Sequence, residues 1–204
     1  MHHVLSPVTA DEIYKALIVL EGCCLLSPYC SGTLVSGQGL KIILKILSEG
    51  KAYLSTPSQT NETSFASQLD SRSVSKESSE ELWDEIRSSC LDTLQSCVHN
   101  DSDCVVQFCE DSSGPDVVCT MLRNKELPKL LRSKCVEFYC ILLRLLASVD
   151  ATTQETHVNT LTEKTKVFLG NKLTKDLFDL WKETELELDV IKCDNFVDQI
   201  DERL

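Results

Sequence analysis

The chain has 204 residues, a length that fits one ordinary domain or a short array of repeated units. Its hydrophobic fraction of 42% is normal for a folded core, which argues against disorder throughout the chain. With 32 acidic and 20 basic residues the net charge is -12, so nucleic acid and anionic membrane surfaces are poor partners. Basic segments of other proteins are the more natural electrostatic complement.

The cysteine content raises the question of disulfides or zinc, since the chain has 11 cysteines. Their number is odd, most of them lie in apolar helical patterns, and the N-terminus carries no secretory signal pattern. Free cysteine behaves as a small hydrophobic residue and is often buried. We therefore expect core cysteines in a reducing compartment, the cytoplasm or the nucleus. No apolar run approaches the roughly 20 residues of a membrane span.

The first helix is predicted to begin at Ala10 and to end near Leu26. Residues 1–8 form a short N-terminal segment, and Thr9 and Glu12 then have the spacing of a capping box. The apolar residues that follow recur at helical spacing. They are Ile13, Ala16, Leu17, Leu20 and Cys24.

A pattern recurs in the chain: residues 20–48, here called the first copy, align with residues 94–123, the second copy. Each copy predicts the end of a long apolar helix, a polar turn, a short helix, a glycine-containing turn and an amphipathic helix, which in the second copy Pro115 opens. With a one-residue shift at a turn, the aligned pairs are Leu20 and Leu94, Cys23 and Cys97, Cys30 and Cys104, Leu34 and Phe108, Gly39 and Gly114, Ile42 and Val117, Ile43 and Val118, and Leu47 and Leu122. A recurring unit of this kind indicates stacked helical repeats.

This order of elements resembles an armadillo-type repeat, in which a long third helix leads through a tight turn into the first two helices of the next repeat. The family pattern is met by Leu34-Val35-Ser36-Gly37-Gln38-Gly39-Leu40, followed by Ile42, Ile43, Ile46 and Leu47. The resemblance implies an all-α fold: a short right-handed α-solenoid of armadillo-like repeats with one long disordered insertion. In that arrangement residues 9–49 hold the first long helix and the start of the first repeat.

The insertion is predicted for residues 50–79, which are rich in Ser, Thr, Gln and Asn. Such a segment buries too little apolar surface to offset the entropy of ordering it, so we expect it to be flexible. Ser78 has Glu81 three residues later, a spacing that suits an acid-directed kinase and makes Ser78 a candidate phosphorylation site. An unregulated linker is the simpler alternative.

Residues 80–185 are predicted to hold further armadillo-like repeats, beginning with a helix at the first of these residues. Pro128 opens the third long helix, whose broad apolar stripe predicts the centre of the core. A turn is expected from Asp150 to Thr156. Two further helices are expected near 155–169 and 174–185.

Residues 186–204 predict an acidic amphipathic C-terminal helix. Its apolar stripe, at spacings of four and three, consists of Leu186, Val190, Cys193, Val197, Ile200 and Leu204. This helix could cap the exposed end of the last repeat, or its stripe could be an interface for a helix of another protein. With fewer than three heptads, the stripe favours capping.

The chain carries no recognisable catalytic or cofactor motif. Gly32 and Gly37 have the spacing of a phosphate-binding loop, but Gln38 and Gly39 stand where Lys and Ser or Thr are needed. Possible metal ligands gather at residues 97–110 without the paired short spacings of structural zinc sites. We therefore expect no cofactor, no metal and no enzymatic activity.

The armadillo resemblance also implies a concave groove lined by the long third helices. Here these helices lie around residues 14–21, 83–96 and 134–144. The Trp and Asn ladder of the peptide-binding members of the family is absent, since the aligned positions hold Ile18, Gly22, Asp92 and Ser96. The candidate groove residues that remain are Tyr14, Glu21, Glu85, Asp92, Ser96 and Glu137.

These features predict a non-enzymatic intracellular scaffold or adaptor that binds another protein, either a peptide or a helix of basic character. No nucleic acid or membrane is expected as a partner. A second hypothesis is a structural subunit, or a fragment of a longer solenoid, within a multiprotein complex. A third, which the absence of catalytic motifs disfavours, is a metal-dependent enzyme.

Overall fold

The structure is a computed structural model that describes residues 8–50, 76–110, 113–148, 151–183 and 190–203; the side chains of 76–79, 151–153 and 183 lie outside this description. All regular elements within these ranges are helices, which confirms the predicted all-α class. In chain order they are α1 (Ala10–Leu26), α2 (Pro28–Ser36), α3 (Gly39–Glu49), α4 (Lys76–Asn100), α5 (Ser102–Glu110), α6 (Ser113–Arg123), α7 (Lys129–Leu146), α8 (Ala151–Glu183) and α9 (Val190–Arg203).

The start of α1 follows the prediction. The Thr9 side chain accepts a hydrogen bond from the Glu12 backbone N–H, and the Glu12 carboxylate accepts one from the Thr9 backbone N–H at 2.8 Å. This reciprocal pair is a capping box, and it satisfies two donors that the first turn would otherwise leave without partners. The helix ends at Leu26, the predicted end.

The two copies fold into the same sequence of elements. In each copy the long helix is followed by a helix of 9 residues and then by one of 11 residues. Two aligned glycines lie at the start of the last helix, close to the backbone of aligned residues: a Cβ on Gly39 would lie 2.7 Å from the Leu34 carbonyl oxygen, and one on Gly114 would lie 2.8 Å from that of Phe108. Glycine is therefore required at the same place in both copies. Helix α6 begins at Ser113, so Pro115 lies in its first turn rather than opening it.

The helix contacts recur at an interval of three elements. Helix α1 packs against α4 and α4 against α7, while α2 packs against α5 and α3 against α6. Each helix of the first copy therefore lies against the corresponding helix of the second copy.

Helix α7 lies at the centre of the core, as its broad apolar stripe predicts. Eleven of its residues are buried, and it packs against α4, α5, α6, α8 and α9. Phe138 of α7 meets Phe108 of α5 edge to face, with ring centroids 5.1 Å apart. Tyr139 is fully buried, and its hydroxyl shares a short hydrogen bond with Thr165 of α8.

Two predicted boundaries are wrong. Helix α4 begins at Lys76 rather than at residue 80, because the acidic residues near its start favour the positive end of the helix dipole. Ser78 therefore lies in the first turn of α4, and the rest of the predicted insertion, residues 51–75, lies outside the described residues. The turn expected at 150–156 is also wrong, since α8 begins at Ala151.

Helix α8 bends at Gly170, where the backbone has φ 74° and ψ 169°. Positive φ is accessible to glycine without steric cost, so this residue permits the change of direction. The bend divides α8 into two helical parts, which agrees with the two separate helices predicted for this region. Leu161 before the bend and Leu177 after it are both buried.

Candidate protein-binding surface

Helices α1, α4 and α7 lie next to one another and carry the candidate groove residues. Thr93 donates a hydrogen bond to the Leu17 carbonyl at 3.3 Å, and Asn100 donates one to the Cys24 carbonyl at 2.7 Å. Since residue numbers rise together in these pairs, α1 and α4 run in the same direction.

The charge of Asp92 is neutralised by a lysine that sequence reasoning does not single out. Lys134 of α7 donates to both carboxylate oxygens of Asp92, at 2.8 and 2.7 Å, and also to the Ser88 hydroxyl at 2.7 Å. This ion pair is partly buried and joins α4 to α7. Asp92 therefore stabilises the contact between two helices and does not offer the free acid predicted for the groove.

Ser96 is not a surface residue. Its side chain is buried and donates a hydrogen bond to the Asp92 carbonyl at 2.9 Å within α4. The prediction that Ser96 lines an open groove is therefore wrong, because the packing of α4 against its neighbours buries this position. Tyr14 is half-buried and packs against the core, so at most part of its ring is accessible.

Three acidic residues remain accessible on this side of the molecule. Glu85 is exposed, while Glu21 and Glu137 are partly exposed on α1 and α7. Each belongs to a different one of the three long helices α1, α4 and α7. We call Glu21, Glu85 and Glu137 the acidic face.

Of the two interpretations of the C-terminal helix, the structure favours capping. Val197 and Ile200 are fully buried inside the chain, with α9 packed chiefly on α7, so neither is available to a partner helix. Val190 is 58% exposed, and Leu186 and Leu204 lie outside the described residues.

The attachment of α9 depends on a buried arginine that the apolar pattern of α7 does not reveal. Arg132 is only 2% exposed; its guanidinium donates to both oxygens of Asp201, at 2.9 and 2.8 Å, and its Nε donates to the Leu122 carbonyl. The hydrogen bonds from Arg132 hold the pKa of Asp201 below its ordinary value. Asp194 and Asp198 add contacts to α7. The acidic residues of α9 thus hold it on α7.

The cysteines are mainly core residues, as predicted. Nine of the eleven are buried, Cys30 is half-buried and Cys23 is exposed. Burial raises the pKa of seven thiols: that of Cys97, those of Cys90, Cys104, Cys109, Cys135 and Cys140 to about 12, and that of Cys119 to about 11. These thiols are protonated at neutral pH and therefore weak nucleophiles.

Neither a metal-binding group nor a membrane span is found in the part of the chain that the structure describes. No three His, Cys, Asp or Glu residues there are grouped so that they could hold a metal ion. No helix within the described ranges has both the length and the apolar character needed to cross a membrane.

Comparisons with known proteins assign this chain to no group. No family model matches it, and no curated protein and no solved structure matches it. The surfaces of the chain itself must therefore indicate what it does.

Proposed function

We propose that the helices form a short right-handed α-solenoid of armadillo-like repeats and that the chain is a non-enzymatic adaptor. In this proposal a partner protein binds to the side formed by α1, α4 and α7. The observation that carries the proposal is the recurrence of helix contacts at an interval of three elements. Repeats that contact only their neighbours form extended surfaces of the kind that scaffolds use.

The charge of this side supports a partner segment of basic character. Glu21, Glu85 and Glu137 contribute negative charge from three neighbouring helices, and the chain as a whole has a net charge of -12. Complementary charge accelerates association and selects among partners. With Asp92 neutralised by Lys134, the acidic face is the part of the groove that would select them.

The test is affinity capture from cell extract with the parent chain and a triple charge reversal of the acidic face, Glu21→Lys, Glu85→Lys and Glu137→Lys. The matched control reverses three exposed acids elsewhere: Glu110→Lys, Glu126→Lys and Glu155→Lys. Both variants change the net charge equally, so a general effect of charge would appear in both. Circular dichroism checks that each variant keeps the parent's helix content.

We expect one protein to be enriched by the parent and the control but not by the acidic-face variant. Capture that is unchanged by the acidic-face reversal, or lost equally with both variants, would count against this binding side.

A structural subunit of a larger complex is the second candidate, and exposed apolar side chains favour it. Leu26 is 88% exposed and Tyr29 is 82% exposed, both near the junction of α1 and α2. A purified chain that is a monodisperse monomer and does not bind a hydrophobic dye would count against this second function.

A further inference from the structure

An apolar groove runs along α1, between α1 and the helices α2 and α3. It consists of two adjoining cavities of about 230 and 380 Å³ that share Leu20, Leu34 and Gly39 as lining residues. Of the residues that line them, Glu12 alone carries a charge, and its carboxylate is engaged in the capping box. Since α1 has 17 residues, the groove extends for up to about 25 Å, long enough for several helical turns.

The second copy shows what such a surface packs against. The residues aligned with Leu20 and Leu34 are Leu94 and Phe108, and both are fully buried. Phe108 packs on Phe138 of α7, and the second copy as a whole packs against both the first copy and α7. In the first copy the same positions are only half-buried. The neighbours that bury the second copy are therefore helices.

The sequence also differs between the copies where their surfaces differ. Tyr29 lines the larger cavity and is 82% exposed, and Leu25 and Leu26, which follow the lining residue Cys24 in the chain, are 56% and 88% exposed. The aligned residues of the second copy are all polar, namely His99, Asn100 and Asp103. Three large, exposed apolar side chains within five residues of the chain indicate an interaction site more strongly than one isolated side chain does.

We propose that this groove binds an amphipathic helix of another protein, which lies along α1 and covers the apolar residues of the first copy. The inference rests on the proposed adaptor function but uses a different surface from the acidic face. A second copy of this chain is the less suitable occupant, because two chains of net charge -12 repel each other. For the same reason the bound helix has basic or uncharged flanks.

The experiment uses a defined probe: a fluorescent peptide of about 18 residues made of leucine, alanine and lysine, with leucines at helical spacing to form one apolar stripe. A scrambled peptide of equal composition has no stripe and controls for attraction between lysine and an acidic protein. Binding is measured by fluorescence anisotropy with the full chain. We expect saturable binding of the striped peptide, and binding of the scrambled one weaker by at least about tenfold.

The decisive variant exchanges the exposed residues of the first copy for those of the second: Leu25→His, Leu26→Asn and Tyr29→Asp. Its matched control makes the same types of change at exposed apolar residues elsewhere: Leu130→His, Val167→Asn and Val190→Asp. We expect the first variant to weaken the striped peptide by at least about tenfold, and the control to change binding by less than about threefold. All six positions are exposed, and circular dichroism confirms that folding is retained.

Three results would overturn the proposal: absence of binding, equal binding of the scrambled peptide, or equal weakening by the two variants. A fourth contrary result would come from sedimentation analysis: if the parent forms a dimer that the groove variant abolishes, the occupant of the groove is a second copy of this chain. The acidic-face reversal should leave peptide binding unchanged. If it abolishes partner capture while the striped peptide does not bind, the adaptor function stands and the groove proposal fails. If partner capture is unchanged while the striped peptide binds as expected, the acidic face is not the binding site and the groove proposal stands.

Discussion

The first and second copies share one pattern, yet they differ in how much of it is covered. In the second copy Leu94 is completely buried, whereas Leu20, its counterpart in the first copy, is only half-buried. Cys97 is buried while Cys23 is exposed. The two short helices of each copy have the same lengths, but the neighbours of the copies differ: the second copy packs against both the first copy and α7, whereas the first copy packs chiefly against the second.

The repeated pattern therefore determines which local structure each copy forms, whereas the neighbouring helices determine how far each aligned residue is buried. The aligned leucines Leu20 and Leu94 both lie within the long helix of their copy. The contribution of each leucine to stability depends on whether another helix covers it, because stabilisation scales with the apolar area removed from water. Aligned pairs therefore serve as matched probes of this difference.

The largest difference is expected in thiol reactivity. Iodoacetamide should label Cys97 at least about 100-fold more slowly than Cys23 in the folded chain, because Cys97 reacts only after local opening. Burial also raises the pKa of the Cys97 thiol, which lowers the fraction of reactive thiolate. Timed labelling with peptide mass spectrometry measures both rates. In urea the two rates should converge, and similar rates in the native chain would contradict the buried position of Cys97.

Truncation of the aligned leucines should separate the copies in stability. Leu94→Ala removes a fully buried side chain and should lower the free energy of unfolding by about 2–5 kcal/mol. Leu20→Ala removes a half-buried one and should cost about 1–2 kcal/mol. Urea denaturation of both variants measures the difference. Equal losses would mean that the groove above Leu20 is closed in solution.

The aligned glycines should follow with a smaller difference. Gly114→Ala places a Cβ 2.8 Å from the Phe108 carbonyl oxygen and 3.1 Å from its fully buried ring, so we expect a loss of about 1–3 kcal/mol. The backbone clash of Gly39→Ala is similar, at 2.7 Å from the Leu34 carbonyl oxygen. The half-buried Leu34 side chain can move aside whereas the buried Phe108 ring cannot, so the loss should be smaller. Thermal unfolding followed by circular dichroism ranks the two. A larger loss of stability for Gly39→Ala than for Gly114→Ala would contradict this prediction.

Helix α9 covers part of α7 near the C-terminal end of the described residues, whereas the groove in the first copy is open. Asp201→Asn weakens the bidentate partner of buried Arg132, and a loss of about 1 kcal/mol is expected in urea denaturation. Asp198→Asn is the matched control on the same helix. Its partner Lys129 is solvent-exposed, so no measurable change is expected. Equal effects of the two variants would mean that the burial of Arg132 does not strengthen its ion pair.

The smallest effect is the pH dependence of that ion pair. The folded-state pKa of Asp201 lies below its ordinary value of 3.8, so its charge adds stability at higher pH that is lost as the pH falls through the lowered pKa. The gap in melting temperature between the parent and Asp201→Asn should therefore be complete near neutral pH and shrink in acid below 3.8. A gap that stays constant across this range would exclude Asp201 as its source.

Local features of the fold could be predicted from the sequence. The Thr9 and Glu12 pair gives the start of α1, and the broad apolar stripe after Pro128 gives the central position of α7. Both follow from residues close together in the chain. The capping contacts span three residues, and the stripe reflects the period of a single helix.

Contacts between distant residues could not be predicted in this way. Asp92 and Lys134 are 42 residues apart, and only the register of α4 against α7 brings them together. The burial of Ser96 likewise depends on how α4 packs against its neighbours. The sequence does not predict the start of α8 at Ala151, because the threonine-rich stretch 151–156 has low intrinsic helix propensity.

The ion pair of Arg132 can form only late in the synthesis of the chain. Its carboxylate partner lies 69 residues further along, so a growing chain contains the arginine long before Asp201 has been made. At the translation rates of about 5–20 residues per second, that interval lasts several seconds. Until Asp201 has been made, Arg132 lacks this carboxylate partner, and α7 lacks the helix that covers part of its apolar surface.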